Sequence, residues 1–213
     1  MLLAIDSSSL TASAALVRGG VLLAEGFINN GLTHSQTLAP LIDSVLKAAG
    51  AQPGDIREVA VTNGPGSFTG LRIGVATALG FAEARGIPCR GVSSLMAAAY
   101  GALDCEGTVC AVMDARRNQF YTALFHVKHL QLTRVSEDGA LSKEELLSVP
   151  SPCVWAGDAA ARCAREGDRV LSRPYVTGYG AALCYLNGHF TEADKINYLR
   201  KPQAEREREL GRA

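Results

Sequence analysis

The sequence predicts an α/β fold made of two related lobes, and three observations support it. A pattern of apolar strand, aspartate, polar turn and apolar strand occurs twice, and the aspartates are Asp6 and Asp114. A glycine-rich turn joins an apolar strand to a helical segment between the two copies. A chain of 213 residues that is 47% hydrophobic and 20% charged can also bury a sizeable core.

The two copies of the repeat align without a gap, with Asp6 on Asp114 and Leu16 on Leu124. In the first copy, Gly19 and Gly20 turn the chain into a third strand that begins at Val21. We therefore predict a first lobe over residues 1–104 and a second over residues 105–213. The polar residues 104–107 form the boundary, and the C-terminal segment is able to pack back on the first lobe.

An apolar stripe after the first meander predicts a helix that ends near Ala49, where Gly50 stops it. Thr33 and Gln36 have the spacing of a capping box at its start. Pro40 conflicts with a start that early, because its ring clashes with a preceding carbonyl. The helix therefore either begins near Thr37 or is kinked at Pro40.

The glycine-rich run follows a strand over residues 59–62 and leads into a helix over residues 71–84. It has neither the Lys-Ser/Thr of a P-loop nor the glycine spacing of a dinucleotide fingerprint. Small residues recur every fourth position and share one ridge of the helix: Gly66, Gly70, Gly74, Ala78 and Ala82. The run is either an anion site at a helix N-terminus or a surface for close packing.

The remaining elements are less regular. Residues 87–92 form a strand, and Ser93 or Ser94 caps a helix over 95–103. After the second hairpin we expect a short capped helix (142–147), a strand (153–156), two helices (159–165 and 179–186) and a frayed, mixed-charge tail (205–212).

Composition limits the classes of function. The net charge is zero, so no basic face for direct nucleic-acid binding is evident. Asp6 interrupts the N-terminal apolar stretch too early for a signal peptide, and no apolar run is long enough to span a membrane. The six cysteines form no C-x-x-C pair and are expected to be reduced and mostly buried. These features predict a cytoplasmic protein that does not bind membranes.

Five segments together resemble the bacterial TsaB (YeaZ) family, which is needed to make threonylcarbamoyladenosine on tRNA. They are residues 64–74 (GPGSFTGLRIG), residues 2–8 (LLAIDSS), residues 34–36 (HSQ), residues 114–117 (DARR) and residues 198–200 (YLR). The resemblance implies the duplicated fold of actin, hexokinase and the Hsp70 ATPase, known as the ASKHA fold, and this agrees with the internal repeat.

By this resemblance the chain is a non-catalytic scaffold that pairs with the related transferase TsaD. The complex, which includes the ATPase TsaE, transfers threonylcarbamoyl to adenosine 37 of tRNA. The chain would touch tRNA only indirectly and would form a homodimer when alone. Two helices from each partner would form a four-helix bundle, and the expected interface residues are Leu38, Leu41, Ile42, Val45, Gly66, Gly70, Arg72, Gly74 and Ala78.

No intrinsic cofactor is predicted, although ATP or ADP could bind at the interface of the complex. Asp6 and Asp114 are the only carboxylates proposed for a remnant nucleotide site. The simpler interpretation is that each caps its own turn. The second turn has two arginines where a phosphate-binding turn would be rich in glycine.

Catalytic motifs are missing from the sequence. The four histidines do not form the His-x-x-x-His metal motif of TsaD, and there is no nucleophile elbow or other hydrolytic constellation that would indicate a protease. The alternative to a scaffold is a stand-alone nucleotide-dependent kinase or ATPase of the actin-like superfamily. Its ATP binding would be weakened by Asp6→Ala.

Overall fold

The computed structural model describes residues 1–200, so the predicted tail over 205–212 lies outside the described residues. The first sheet has the strand order β12-β5-β4-β1-β2-β3. Its strands are β1 (Leu2–Asp6), β2 (Ala12–Arg18), β3 (Val21–Ile28), β4 (Glu58–Gly64), β5 (Cys89–Ser93) and β12 (Thr191–Glu192).

The second sheet has the order β11-β10-β6-β7-β8, and β9 also pairs with β7. Its strands are β6 (Gly107–Asp114), β7 (Gln119–Lys128), β8 (Gln131–Arg134), β9 (Gly139–Ser142), β10 (Val154–Ala156) and β11 (Arg169–Val170).

The two sheets repeat one topology. In the first, β1 lies between antiparallel β2 and parallel β4. In the second, β6 lies in the same way between antiparallel β7 and parallel β10. In both sheets a further strand pairs parallel to the last one. The internal duplication predicted from the Asp6 and Asp114 repeat is therefore confirmed.

Helices cover the sheets in three layers. α1 (His34–Ala48) and α2 (Phe68–Glu83) pack on the outer face of the first sheet. α3 (Ser94–Ala99) and α5 (Gly178–Leu186) lie between the two sheets, and α4 (Ala160–Cys163) covers the outer face of the second. No helix within residues 1–200 has the length and apolar character to cross a membrane.

Alternation along β1 shows how the layers are connected. Leu3 and Ile5 belong to the outer core under α1 and α2. Leu2 and Ala4 face the central core, which also contains residues of β6 and β7. Since both faces of the strand are buried, it is apolar up to Asp6 at its end.

Several boundaries differ from those predicted. α1 begins at His34, and Thr33 makes no side-chain capping bond, so the predicted capping box is wrong. Pro40 and Gln36 both lie inside the helix on its exposed side. Because proline has no N–H, the Gln36 carbonyl lacks its intrahelical hydrogen-bond donor. The helix expected over 159–165 is only α4, four residues long. The five cysteines other than the half-buried Cys89 are buried, and all six are free thiols, as expected.

Candidate functional site

The two hairpin turns of the repeat face one another across a cavity of about 430 Å³. The β1–β2 turn contributes Ser8, Ser9 and Leu10, and the β6–β7 turn contributes residues 114–116. Residues 66–69 at the start of α2 and the late residues Asn197, Tyr198 and Arg200 also line it. The duplicated topology therefore brings both turns to one cleft between the lobes.

Hydrogen bonds to the start of α1 and to the N-terminal part of α2 hold the first turn in place. The Ser7 hydroxyl donates to the Gly70 carbonyl (2.9 Å), and the Ser67 amide donates to the Ser8 carbonyl (2.7 Å). The His34 ring nitrogen Nε2 bonds the Ser9 carbonyl at 2.8 Å. Three successive residues are thus held by α2 and by the start of α1.

Asp6 lies beneath this turn and is fully buried. Its Oδ1 accepts hydrogen bonds from the Ser8 amide (3.1 Å), the Ser8 hydroxyl (2.6 Å) and the Thr62 hydroxyl (2.6 Å). Its Oδ2 is buried and has no hydrogen-bond partner among the described residues. Burial raises the pKa of Asp6, and the bonds from Ser8 and Thr62 offset only part of that rise. Asp6 does not line the cavity.

Asp114 occupies the equivalent position in the second lobe but lines the cavity. Its Oδ1 accepts from the Arg116 amide at 2.8 Å, the same two-residue bond that joins Asp6 to the Ser8 amide. Arg162 forms an ion pair with Asp114 at 3.3 Å, and Arg116 lies at 3.9 Å. Both aspartates therefore cap their own turns, and only Asp114 faces the cavity.

The sequence interpretation did not include Asp158 among the candidate site residues. Asp158 follows β10 and lines the cavity, and its Oδ1 accepts from the Asp114 amide at 2.9 Å. Burial raises its pKa, although the bond from the Asp114 amide opposes this. Because β6 and β10 are parallel neighbours, their carboxyl ends share one edge of the sheet. The strand followed by Gly157-Asp158 was the signal that could have found it.

Part of the backbone of each turn differs from that of a phosphate-binding turn. Phosphate-binding turns present free backbone amides. Here the amides of Ser8 and Arg116 are bound by Asp6 and Asp114, and the Thr11 amide is bound by the Ser9 hydroxyl. The second turn also holds three consecutive non-glycine residues at positive φ: Arg116, Arg117 and Asn118.

The residues expected at a partner interface lie mostly in the chain's own core, which corrects that expectation. Leu38, Leu41, Ile42 and Val45 are buried under the first sheet, because the apolar stripe of α1 faces β2 and β3. Gly70, Gly74 and Ala78 of α2 are buried as well, and Gly66 is half-buried. An apolar stripe alone does not distinguish a partner from the chain's own sheet.

The small-residue ridge of α2 packs against the first turn rather than against another helix. A Cβ added at Gly66, Gly70 or Gly74 would overlap atoms of Ser8 or Ser7. The glycines of the run therefore do pack closely, but their neighbour is the Asp6 turn. Gly80 on the opposite side is exposed and has open space around it.

Arg72, also expected at the interface, is bound within the chain. Its guanidinium carbon lies 3.8 Å from the centroid of the Phe68 ring, and its Nε donates to the Tyr198 hydroxyl at 3.1 Å. The rings of Phe68 and Tyr198 are 4.9 Å apart. Arg72 therefore joins α2 to the C-terminal segment.

The architecture and the duplicated cleft define a protein of the actin-like ASKHA class. Component A of the (R)-2-hydroxyglutaryl-CoA dehydratase of Acidaminococcus fermentans shares the fold, with a TM-score of 0.54 at 14% identity over 85% of this chain and 96% of that one. A Pseudomonas aeruginosa structure described as an uncharacterized protein with similarity to peptidase YEAZ has a TM-score of 0.79 at 26% identity, over 93% of this chain and 99% of that one.

The family model described as "TsaD: tRNA N6-adenosine threonylcarbamoyltransferase" matches residues 30–199. The chain belongs to this family, and its resemblance to the TsaB (YeaZ) proteins is confirmed. The tRNA threonylcarbamoyladenosine biosynthesis protein TsaB of Bacillus subtilis is 37% identical over 137 residues, 64% of this chain. That match spans 60% of the length of the curated relative.

Proposed function

We propose that the chain is a non-catalytic subunit that pairs with TsaD for threonylcarbamoyl transfer to adenosine 37 of tRNA in the cytoplasm. The family and the name of the B. subtilis relative support the pathway. The observation that carries the non-catalytic role is the burial of Asp6 beneath the first turn. Asp6 is fully buried there and binds the Ser8 amide, while the Ser8 and Ser9 carbonyls are bound by Ser67 and His34.

The docking surface is the exposed side of α1 and α2, not the buried stripe. These two helices lie side by side on the outside of the first sheet. Their exposed positions include the small residues Ala39, Pro40, Ala76 and Gly80. Small side chains allow partner helices to approach closely. The same surface serves a homodimer when TsaD is absent.

The other components bind the resulting pair. TsaE joins it as the ATPase, and tRNA contacts this chain only through the complex. Any ATP or ADP site lies at an interface with a partner. Within the chain itself, the backbone amides of Ser8 and Arg116 are already bound to aspartates.

The test is binding to TsaD by light scattering, with matched exposed alanines. Ala76→Arg places a long cationic side chain on the docking face. Ala161→Arg places the same side chain at an exposed position of α4 in the second lobe. Neither position is buried, so both variants keep the fold. We expect Ala76→Arg to weaken binding by at least about tenfold, or roughly 1.4 kcal/mol. Wild-type affinity of Ala76→Arg, or equal loss in both variants, would contradict the proposed surface.

A further inference from the structure

The segment after β12 runs from the first lobe to the second along one side of the cavity. We name residues 194–200 the strap. Ile196 packs against the outer core of the first lobe, and Leu199 packs against the central core between the sheets. Asn197, Tyr198 and Arg200 line the cavity. The strap is thus one wall of the cleft and touches both lobes.

The near end of the strap is held firmly by Asn63. The Asn63 side-chain amide donates to the Lys195 carbonyl (2.9 Å), the Glu192 carbonyl (3.2 Å) and the Thr191 hydroxyl (3.1 Å). The Asn197 amide donates to the Asn63 carbonyl at 2.8 Å. Asn63 is itself buried, and its four hydrogen bonds fix the chain up to Asn197.

The far end is held by contacts at the surface. Tyr198 is exposed, packs its ring at a tilt against Phe68 and accepts the hydrogen bond from Arg72. The Arg200 guanidinium donates to the carbonyls of Ala115 and Arg116, the latter at 3.1 Å. Arg200 therefore binds the second turn, whose residues 116–118 have positive φ. Left-handed backbone at non-glycine residues is strained, and such turns depend on their surroundings.

We propose that the strap closes the mouth of the cleft through Arg200 and Tyr198, and that its release opens the cavity without unfolding either lobe. The buried near end acts as the fixed point, and residues 198–200 swing away from it. The two lobes stay packed through the central core and the layer of α3 and α5. This gate does not depend on the pairing proposed above.

The test measures the reaction of a thiol placed inside the cavity. Ser9 lines the cavity and is only 8% exposed, so Ser9→Cys reports access. Cys89, the one half-buried cysteine, is replaced by serine in every variant. The fully buried Cys110 and Cys184 report global unfolding in the same reaction. A bulky aromatic disulfide reagent is the probe, and mass spectrometry locates the labelled residue.

We expect Arg200→Ala to speed labelling of the Ser9→Cys thiol at least tenfold, with Cys110 and Cys184 unreacted. Lys195→Ala is the matched control, because it removes a cation from the strap while the Lys195 contact to Asn63 uses the backbone carbonyl. Tyr198→Ala, at an exposed position, repeats the test with a smaller increase. Equal labelling rates in wild type, Arg200→Ala and Tyr198→Ala would overturn the gate. So would reaction of the buried thiols together with the reporter in both variants.

Discussion

The two hairpin turns share a sequence pattern and the same aspartate-to-amide bond, yet their surroundings differ. The Asp6 turn is covered by the sixteen-residue α2 and by His34. The helix at the corresponding place in the second lobe, α4, has four residues, and the Asp114 turn carries exposed arginines. Both turns therefore line the cleft, but the repeated aspartate is fully buried in one lobe and faces the cavity in the other.

The largest expected effect on stability comes from breaking the contact between α2 and the first turn. Gly74→Leu places a side chain on Ser7 and forces α2 from the Asp6 turn. We expect it to lower the free energy of unfolding by about 3 kcal/mol, measured by denaturant titration. Gly80→Leu, on the exposed side of the same helix, should leave stability unchanged or slightly raised, because leucine is the better helix former. Equal losses would show that packing on Ser7 is not the cause.

A second prediction compares the two aspartates directly. Asp6→Ala leaves the Ser8 amide and the Ser8 and Thr62 hydroxyls buried without their acceptor, so we expect a loss of about 2 to 3 kcal/mol. Asp114→Ala exposes its partners to water and should cost about 1 kcal/mol or less. Thermal and denaturant unfolding of both variants measure the difference. Equal costs would mean that the turns are not differently buried.

A third prediction concerns Asp168, which holds the second lobe together away from the cleft. Burial alone would raise the pKa of its carboxyl, but hydrogen bonds from the Arg165 amide, the Trp155 indole, the Cys153 amide and the Ser151 hydroxyl hold that pKa well below its usual range. Because the pKa of Asp168 is lower in the folded protein, the ionised carboxyl stabilises the fold at a pH above its unfolded pKa of about 4. This stabilisation is lost as the pH falls toward the folded pKa.

Asp168→Asn replaces an acceptor by a donor for at least one of these groups, so we expect a loss of about 2 kcal/mol at pH 7. The difference from wild type should shrink as the pH falls from about 5 toward 2, because the Asp168 carboxyl of the unfolded chain is then protonated while that of the folded chain stays ionised, and this lowers the stability of the wild type. Unfolding measured across this range checks the prediction. A difference that is constant with pH would show that the carboxylate charge is not responsible.

The smallest effect is expected at Asp158, whose shift has the opposite sign. Burial raises the pKa of Asp158 in the folded protein, so its ionisation lowers the free energy of unfolding above that pKa. This loss of stability disappears as the pH falls below the unfolded value of about 4. Asp158→Asn keeps an oxygen for the Asp114 amide and removes the buried charge. We expect a gain of up to about 1 kcal/mol at pH 7 and none at pH 3. A loss at pH 7 would contradict the assigned direction.

The sequence predicted the fold well because its signals are local. The repeat around Asp6 and Asp114 predicted both hairpins. Gly50 predicted the C-terminal end of α1, and the start of α3 was predicted from Ser93 and Ser94, of which Ser93 is the cap. Pro40 misled the start of α1, because an exposed proline inside a helix depends on solvent reaching the freed carbonyl. The extent of α4 depends on tertiary packing and was not predicted.

The candidate site was less predictable, since burial decides what each residue does. The stripe from Leu38 to Val45 looks the same whether it meets a partner or the chain's own sheet. Arg72 donates to Tyr198 and Arg200 donates to the Arg116 carbonyl, and the two residues of each pair are more than eighty positions apart in the chain. Only the fold brings such pairs together, so spacing along the sequence could not reveal them.

The account is tested most directly by threonylcarbamoyl transfer to tRNA, reconstituted from this chain, TsaD, TsaE and the enzyme that supplies the adenylate. Ala76→Arg alters the outer face, while Asp114→Ala alters the cleft and leaves that face intact. We expect transfer to need this chain, to be lost with Ala76→Arg and to be retained with Asp114→Ala. Transfer retained by Ala76→Arg but lost with Asp114→Ala, together with ATP turnover by the isolated chain, would contradict a non-catalytic role that works through the outer face.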